Sequence, residues 1–312
     1  MAITASGVRI AWAELPDRVH QWVETVIGGG PVVEHHSQPG GFSPGTADRV
    51  VTASGRRAFV KAVSTAQNEH TPALHRREAA IVSELPPSPR ISRLLGCFDD
   101  GDWVALVFAD VVGRTPVLPW RTVEIEAAIT ALAQLATDLT PAPTDQLPLL
   151  VDEIEQPYDG WARLAEQRPN DLDPWVVDHL DQLVRLAARG RAALAGDTVV
   201  HSDIRADNLL ISPDGHVTVV DWPWGSVGAA WFDRFCLIVN VDLYGGHDAD
   251  RLVDEHLGTI PADDITAALA GLSGYFTDAG RQPAVTGLPT LRAFQAAQAT
   301  STLAWLRGRL GA

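Results

Sequence analysis

The stretch His201-Ser202-Asp203-Ile204-Arg205-Ala206-Asp207-Asn208 is followed by an apolar run that ends in Asp221. Between Asn208 and Asp221 lie two apolar segments, which flank the turn-forming residues Ser-Pro-Asp-Gly at 212–215. Apolar segments around such a turn predict a β-hairpin. Because a hairpin brings its two ends together, we expect Asn208 and Asp221 to be neighbours.

The residue types in this stretch suit phosphoryl transfer. The amide oxygen of Asn208 and the carboxylate of Asp221 are hard ligands for Mg²⁺, whose other ligands are waters and phosphate oxygens. Asp203 would lie where a substrate hydroxyl gives up its proton while attacking a terminal phosphate. The order base, metal ligand, metal ligand is that of kinase-type sites. Each residue alone would be an ordinary turn or capping group, but their combined spacing favours catalysis.

A lysine embedded in an apolar strand predicts a second part of the site. Strand alternation over residues 57–63 places Lys61 on an otherwise apolar face, where an ammonium needs a partner. In a helix predicted over residues 71–85, Glu78 lies on the inward stripe, so a Lys61–Glu78 ion pair is expected. Such a pair directs the lysine to nucleotide phosphates. The alternative is a lysine that extends to solvent and a solvated Glu78.

A glycine-bearing loop at residues 38–45 predicts a phosphate-binding hairpin. Gly41 would let the backbone approach a phosphate closely, and Ser43 would add a hydroxyl donor. The same glycines are also ordinary turn signals. Farther along, residues 109–113 are expected, from position alone, to form a hinge between the two parts of the chain, where the backbone of Ala109 and Val111 would contact an adenine.

Composition limits the possible partners. The chain has 312 residues, and its net charge of -15 disfavours general binding to nucleic acid or anionic membranes. This charge would attract a cationic acceptor, although it can equally serve solubility. Cys97 and Cys236 have no CxxC spacing, which argues against a disulfide framework or zinc site and fits a reducing cytoplasm. No signal-peptide pattern and no membrane-spanning apolar run are present.

These segments resemble the aminoglycoside phosphotransferase family, the small-molecule branch of the protein-kinase-like fold. Asp221-Trp222 stands in place of Asp-Phe-Gly, which is typical of that branch, and no Ala-Pro-Glu segment follows. The resemblance implies ATP and Mg²⁺ as cofactors and a small-molecule hydroxyl as acceptor. It runs from about Gly40 to Asp233, through segments 40–43, 59–61, 77–80, 107–113, 201–208 and 219–222.

The chain departs from the family pattern at three places. Ser202 stands where the family usually has glycine, residues 205–207 replace a frequent His-Pro-Gly, and Ala109 stands where an acidic hinge residue is common. Arg205 occupies the place of the lysine that contacts the transferred phosphate in protein kinases, which would make it catalytic. Pairing of Arg205 with Asp207 or with Asp214 is an equal alternative.

The part of the chain after the hinge is predicted to be largely α-helical and to form the acceptor pocket. Asp233 is expected to brace the catalytic loop through backbone N–H groups or His201. Most tryptophans are expected in the core, with one or two at a pocket. Four acidic residues are candidates for holding an amine, although solvated loop positions are the commoner role for such residues. They are Asp152, Glu153, Glu155 and Asp159.

The predicted fold is α+β and two-lobed, of the protein-kinase-like type. Residues 1–112 are predicted to form an N-lobe with a small antiparallel sheet and one main helix, and residues 113–312 a larger, mostly α-helical C-lobe. The predicted function is ATP- and Mg-dependent transfer of the γ-phosphate to a hydroxyl of a small molecule, with an aminoglycoside or other antibiotic among the candidates. The alternatives are a metabolic sugar, amino-alcohol or nucleoside kinase, a non-catalytic pseudokinase, and, with less support, a protein kinase.

Overall fold

The computed structural model describes residues 7–42 and 44–311, so the predicted phosphate-binding Ser43 lies outside the described residues. The chain has the predicted α+β fold, with one five-stranded sheet and two short two-stranded sheets in its described part. The strands are β1 (Val32–Ser37), β2 (Thr46–Thr52), β3 (Arg57–Ser64), β4 (Leu94–Asp99), β5 (Trp103–Ala109), β6 (Thr198–Val200), β7 (Leu209–Ile211), β8 (Val217–Val219) and β9 (Ser226–Gly228).

The larger sheet is antiparallel and has the strand order β1-β2-β3-β5-β4. Strand β5 is apolar throughout and almost entirely buried, as expected for a strand covered on both faces. Lys61 of β3 lies between Ala47 of β2 and Leu106 of β5, in the middle of the sheet. The small antiparallel sheet predicted from the sequence is therefore confirmed.

Two helices, α1 (Asp17–Ile27) and α2 (Thr71–Glu84), cover opposite faces of this sheet. Because side chains alternate along a strand, Val107 of β5 packs with α1, whereas Leu106 packs with α2. Helix α2 confirms the helix predicted over residues 71–85. Helix α1 is an addition to that prediction, and it ends at Gly28, whose φ of +69° is readily adopted without a Cβ.

The second part of the chain is mainly helical, as predicted. At its centre α7 (Pro174–Ala193) and α10 (Ala262–Ala279) pack so closely that a Cβ at Gly190 would lie only 2.2 Å from the carbonyl oxygen of Ala267. Within residues 7–42 and 44–311, no helix combines the length and apolar character needed to cross a bilayer. The helices are α3 (Thr122–Asp138), α4 (Leu150–Glu153), α5 (Glu155–Tyr158), α6 (Gly160–Gln167), α7 (Pro174–Ala193), α8 (Phe232–Tyr244), α9 (Ala249–Leu257), α10 (Ala262–Ala279) and α11 (Leu291–Arg309).

The segment from His201 to Asp221 contains β7 and β8 and follows β6, which pairs with β9. Strands β7 and β8 form the predicted hairpin, with Leu209 opposite Val219. A bridge from Arg114 to Ile211 ties the hairpin to the chain leaving the five-stranded sheet. The division into lobes at residues 112 and 113, just before this bridge, stays a prediction.

Candidate active site

The loop that carries Asp203 is fixed from behind by Asp233 at the start of α8. The Asp233 carboxylate accepts hydrogen bonds from the backbone N–H groups of His201, at 2.7 Å, and Ser202, at 2.9 Å. The His201 ring accepts from the Asp203 N–H at Nδ1 and therefore donates from Nε2 to the Val220 carbonyl oxygen, at 3.0 Å. Burial lowers the pKa of His201, which keeps this ring neutral. Asp233 thus braces the loop through N–H groups.

Ser202 adopts the left-handed backbone conformation, with φ of +68°. Glycine reaches this region without strain, which explains why glycine is the usual residue here in the family that the sequence resembles. The Ser202 backbone is therefore strained. The Ser202 hydroxyl forms a hydrogen bond with the Ser226 hydroxyl in β9, at 2.9 Å. The turn at Ser202 directs the next residue, Asp203, toward an open cleft.

Arg205 pairs with two carboxylates of its own loop. Its Nη1 lies 2.7 and 2.6 Å from the two Asp203 oxygens, and its Nε lies 3.0 Å from Asp207 Oδ1. Asp214, the other proposed partner, accepts instead from the Ser212 hydroxyl. The Arg205 guanidinium also lies over the Phe42 ring, 5.3 Å from its centroid. Burial raises the pKa of Asp203 to about 6, although Arg205 opposes this effect.

Asn208 and Asp221 flank the hairpin and line the same cleft, as predicted. The Asn208 amide nitrogen donates to the backbone carbonyl oxygen of Asp203 at 2.8 Å and to the Asp203 carboxylate at 3.3 Å. This orientation leaves Asn208 Oδ1 for another ligand. Asp221, with φ of +69°, turns its carboxylate toward Lys61. One amide oxygen and one carboxylate form a donor set suited to Mg²⁺.

The predicted Lys61–Glu78 ion pair is present. Lys61 Nζ lies 2.9 and 2.8 Å from the two Glu78 carboxylate oxygens and also donates to Asp221. Glu78 further accepts from the backbone N–H of Trp222 at 3.3 Å, so it joins α2 to the segment after the hairpin. Burial alone would lower the pKa of Lys61, but Asp221 and Glu78 outweigh it and raise that pKa. Burial alone would raise the pKa of Asp221, but Lys61 lowers it to about 2. Lys61 is therefore a cation and Asp221 an anion.

These groups surround two clefts. The first, with a volume of about 160 Å³, is lined by predicted site residues from both parts of the chain. The second, with a volume of about 140 Å³, has Asp203 and Arg205 in its wall. The predicted site residues that line the first cleft are Gly41, Lys61, Ala109, Val111, Asn208 and Asp221.

A family model described as the phosphotransferase enzyme family matches residues 39–272. The chain belongs to the phosphotransferase enzyme family. The match includes every site residue predicted from the sequence, from Gly41 to Asp221, and the resemblance drawn from the motifs is confirmed. Comparison with curated protein sequences finds no significant match.

Solved structures of phosphotransferases share the fold. An aminoglycoside phosphotransferase from Alicyclobacillus acidocaldarius aligns with a TM-score of 0.60 at 17% identity, covering 96% of this chain and 97% of that one. A thermostable mutant of aminoglycoside phosphotransferase APH(4)-Ia, in ternary complex with ADP and hygromycin B, aligns with a TM-score of 0.58 at 14% identity, covering 93% and 96%. Choline kinase LicA from Streptococcus pneumoniae gives 0.58 at 12% identity, covering 93% and 98%. Identities this low establish the fold alone.

The hinge of this family member is held by two arginines that the sequence did not single out. Arg49 Nη2 donates to the carbonyl oxygen of Val111, which lines the first cleft, at 2.7 Å. Arg49 and Arg57 both pair with Asp110, at 3.2 and 2.7 Å. An acidic residue is therefore present at the hinge, one position after Ala109, but it pairs with arginines of the sheet.

The acidic residues considered for holding an amine line neither of the two clefts. Glu153 pairs with Arg77 at 2.7 Å, and Glu155 with Arg191 at 2.6 Å. Among the described residues, no tryptophan lines the second cleft. Its aromatic residues are instead Phe42, Tyr275, Phe276 and Phe294.

Proposed function

We propose that this chain transfers the γ-phosphate of ATP, with Mg²⁺, to a hydroxyl group of a small molecule. The observation that carries the proposal is that Lys61, Asn208 and Asp221 line one cleft while Asp203 lines the adjoining one. Phosphoryl transfer depends mainly on holding the nucleotide, the metal and the attacking hydroxyl in line. The first cleft would hold the nucleotide and the metal, and the second would hold the acceptor.

Each group has a role that its contacts support. Lys61, held by Glu78, would contact nucleotide phosphates, with Gly41 of the loop beside them. The backbone at Ala109 and Val111 would receive the adenine. Mg²⁺ would be held by Asn208 Oδ1 and the Asp221 carboxylate, and when bound it would neutralise charge on the phosphate oxygens.

Asp203 would orient the acceptor hydroxyl and take its proton. Its pKa, raised to about 6 by burial, suits a group that must be ionised near neutral pH and yet bind a proton during transfer. Arg205 holds both of its oxygens, so Arg205 would position the base. A structural relative in complex with ADP and hygromycin B supports binding of a nucleotide and a small molecule together.

The test compares two aspartate substitutions that should have different effects. Asp203→Ala should lower turnover by about 10² to 10⁴, the usual contribution of a general base, with nucleotide binding unchanged. Asp221→Ala should weaken Mg-ATP binding in a calorimetric titration, because it removes a metal ligand. Asp214→Ala, in the exposed turn of the same hairpin, serves as the matched control. Unchanged turnover in Asp203→Ala would refute the assignment.

The same assay separates an enzyme from a pseudokinase. A non-catalytic binding protein would show a thermal shift with nucleotide but would release no ADP in response to any acceptor. Incorporation of labelled phosphate into added protein would instead indicate a protein kinase.

A further inference from the structure

The second cleft, beside Asp203, carries almost no net charge. Among its described lining residues only Asp203 and Arg205 are ionic, and they pair with each other at 2.6 Å. Asp207, the nearest further acid in the loop, is also held by Arg205, at 3.0 Å. An ammonium group that entered this cleft would meet no free carboxylate on its wall and would lose its hydration without a partner.

A buried amide gives the cleft a specific hydrogen-bonding requirement. Asn240 of α8 lines the cleft and is only 2% exposed. Its Oδ1 accepts from the Trp120 indole N–H and from the Ala206 backbone N–H, both at 3.2 Å. Its Nδ2 forms no hydrogen bond with the described chain.

The orientation of this amide is fixed by its partners. Turning the Asn240 side chain over would place its NH₂ group against two N–H donors, so Oδ1 must face Trp120 and Ala206. A buried donor without a partner is unfavourable, and native structures usually satisfy such groups. Asn240 Nδ2 is therefore suited to donate to an acceptor, such as a carbonyl, ether or hydroxyl oxygen.

The remaining walls of the cleft are neutral. The Gln298 side chain, in a residue that is 7% exposed, forms no hydrogen bond among residues 7–42 and 44–311 and can both donate and accept. Phe42 from the glycine loop contacts Phe294 of α11, with ring centroids 5.2 Å apart. Aromatic and aliphatic walls with a few uncharged hydrogen-bonding groups are typical of sites for neutral, partly apolar ligands.

Building on the proposed function, we infer that the acceptor is an uncharged alcohol with an apolar or aromatic face and an oxygen that accepts a hydrogen bond from Asn240. The overall charge of -15 had suggested a cationic acceptor, but that charge lies elsewhere on the chain. The hydroxyl to be phosphorylated would lie at Asp203, and the apolar part would contact Phe42 and Phe294.

The test uses pairs of compounds in which acetylation removes the positive charge of an amine and adds a carbonyl oxygen that can accept a hydrogen bond. Aryl amino alcohols such as phenylglycinol are compared with their N-acetyl derivatives, and gentamicin serves as a polycation. Binding to the full chain in the presence of Mg-ADP is measured by calorimetry. The neutral member of each pair should bind about tenfold more tightly, because it satisfies a buried donor that the ammonium leaves unpaired. Equal or tighter binding of the amines, or no binding of any neutral member at millimolar concentration, would overturn the inference.

Two variants should reverse this preference. Asn240→Asp keeps the acceptor for Trp120 and replaces the unpaired donor by a carboxylate oxygen, so the amines should gain affinity relative to their N-acetyl partners. Gln298→Glu should act in the same direction and covers the case in which the first variant unfolds. Gln21→Glu, an exposed position on α1, adds the same charge far from the cleft and should leave the preference unchanged.

The two proposals fail in distinguishable ways. Ligand binding in the presence of Mg-ADP requires no phosphoryl transfer, so it reports the acceptor class alone. Acceptor-dependent ADP release from Mg-ATP reports the proposed function. Neutral ligands that bind without ADP release would refute the transfer reaction, whereas transfer to amines only would refute the neutral acceptor.

Discussion

Arg205→Gln should move the acidic limb of the pH–rate profile to higher pH. In the structure, one Arg205 nitrogen lies 2.7 and 2.6 Å from the two Asp203 carboxylate oxygens. Burial raises the pKa of Asp203 to about 6, and Arg205 is the largest influence that opposes this rise. A base must be ionised to accept a proton, so wild-type activity should be present above about pH 6 and be lost as the pH falls through that value.

The size of the effect follows from this contact. An arginine adjacent to an aspartate usually lowers its pKa by about 1 to 3 units. Removing the guanidinium should therefore raise the pKa of Asp203 and move the acidic limb upward by about 1 to 3 pH units. Glutamine preserves much of the side-chain length and polarity, which isolates the loss of charge.

The assay is kcat/KM for the acceptor from pH 5 to 9, measured by ADP release at saturating Mg-ATP. Arg185→Gln, at an exposed position of α7, is the matched control and should keep the wild-type profile. If Arg205 instead contacts the transferred phosphate, kcat should fall at every pH with no displacement of the limb. A limb that stays in place or moves downward would refute the role of Arg205 as the group that positions and tunes Asp203.

Three further substitutions test the supporting contacts. Asp233→Asn should lower the free energy of unfolding by about 1 to 3 kcal/mol, because the amide NH₂ would face a buried N–H group of the loop. Thermal unfolding measures this loss of stability. Ser202→Gly should be more stable than Ser202→Ala by about 1 kcal/mol, because both lose the hydroxyl bond but only alanine keeps the left-handed strain; equal stabilities would contradict the strain. Glu78→Gln should weaken ADP binding by releasing Lys61 from its orienting partner, whereas Glu84→Gln on the exposed side of the same helix should not, as a titration with each variant would show.

The catalytic segment could be predicted because its partners are close in sequence. Asn208 and Asp221 are joined by a hairpin with apolar strands and a strong turn signal, so their proximity followed from the chain itself. The Lys61–Glu78 pair was predictable for a related reason, since strand and helix periodicity each placed one charge on a buried face. Local patterns were sufficient in both cases.

Other features depend on contacts that local patterns do not encode. Whether Arg205 contacts a phosphate or Asp203, two residues before it, depends on the rotamer of its side chain. The unpaired amide of Asn240 arises only because Trp120 and Ala206, distant in sequence, both donate to its oxygen. The missed helix α1 is different, because Val19, Val23 and Ile27 recur every four residues and are buried, so its signal was present in the sequence.

The most direct test of the central claim is the fate of the γ-phosphate. Wild-type protein is incubated with Mg²⁺, ATP labelled in its γ-phosphate and a panel of neutral and cationic alcohols, and the products are separated. We predict that the label appears in a phosphate monoester of an acceptor, with one ADP released for each product and no transfer without Mg²⁺ or in Asp203→Ala. Absence of acceptor-dependent ADP release across the panel, or recovery of the label only in inorganic phosphate or protein, would contradict the account.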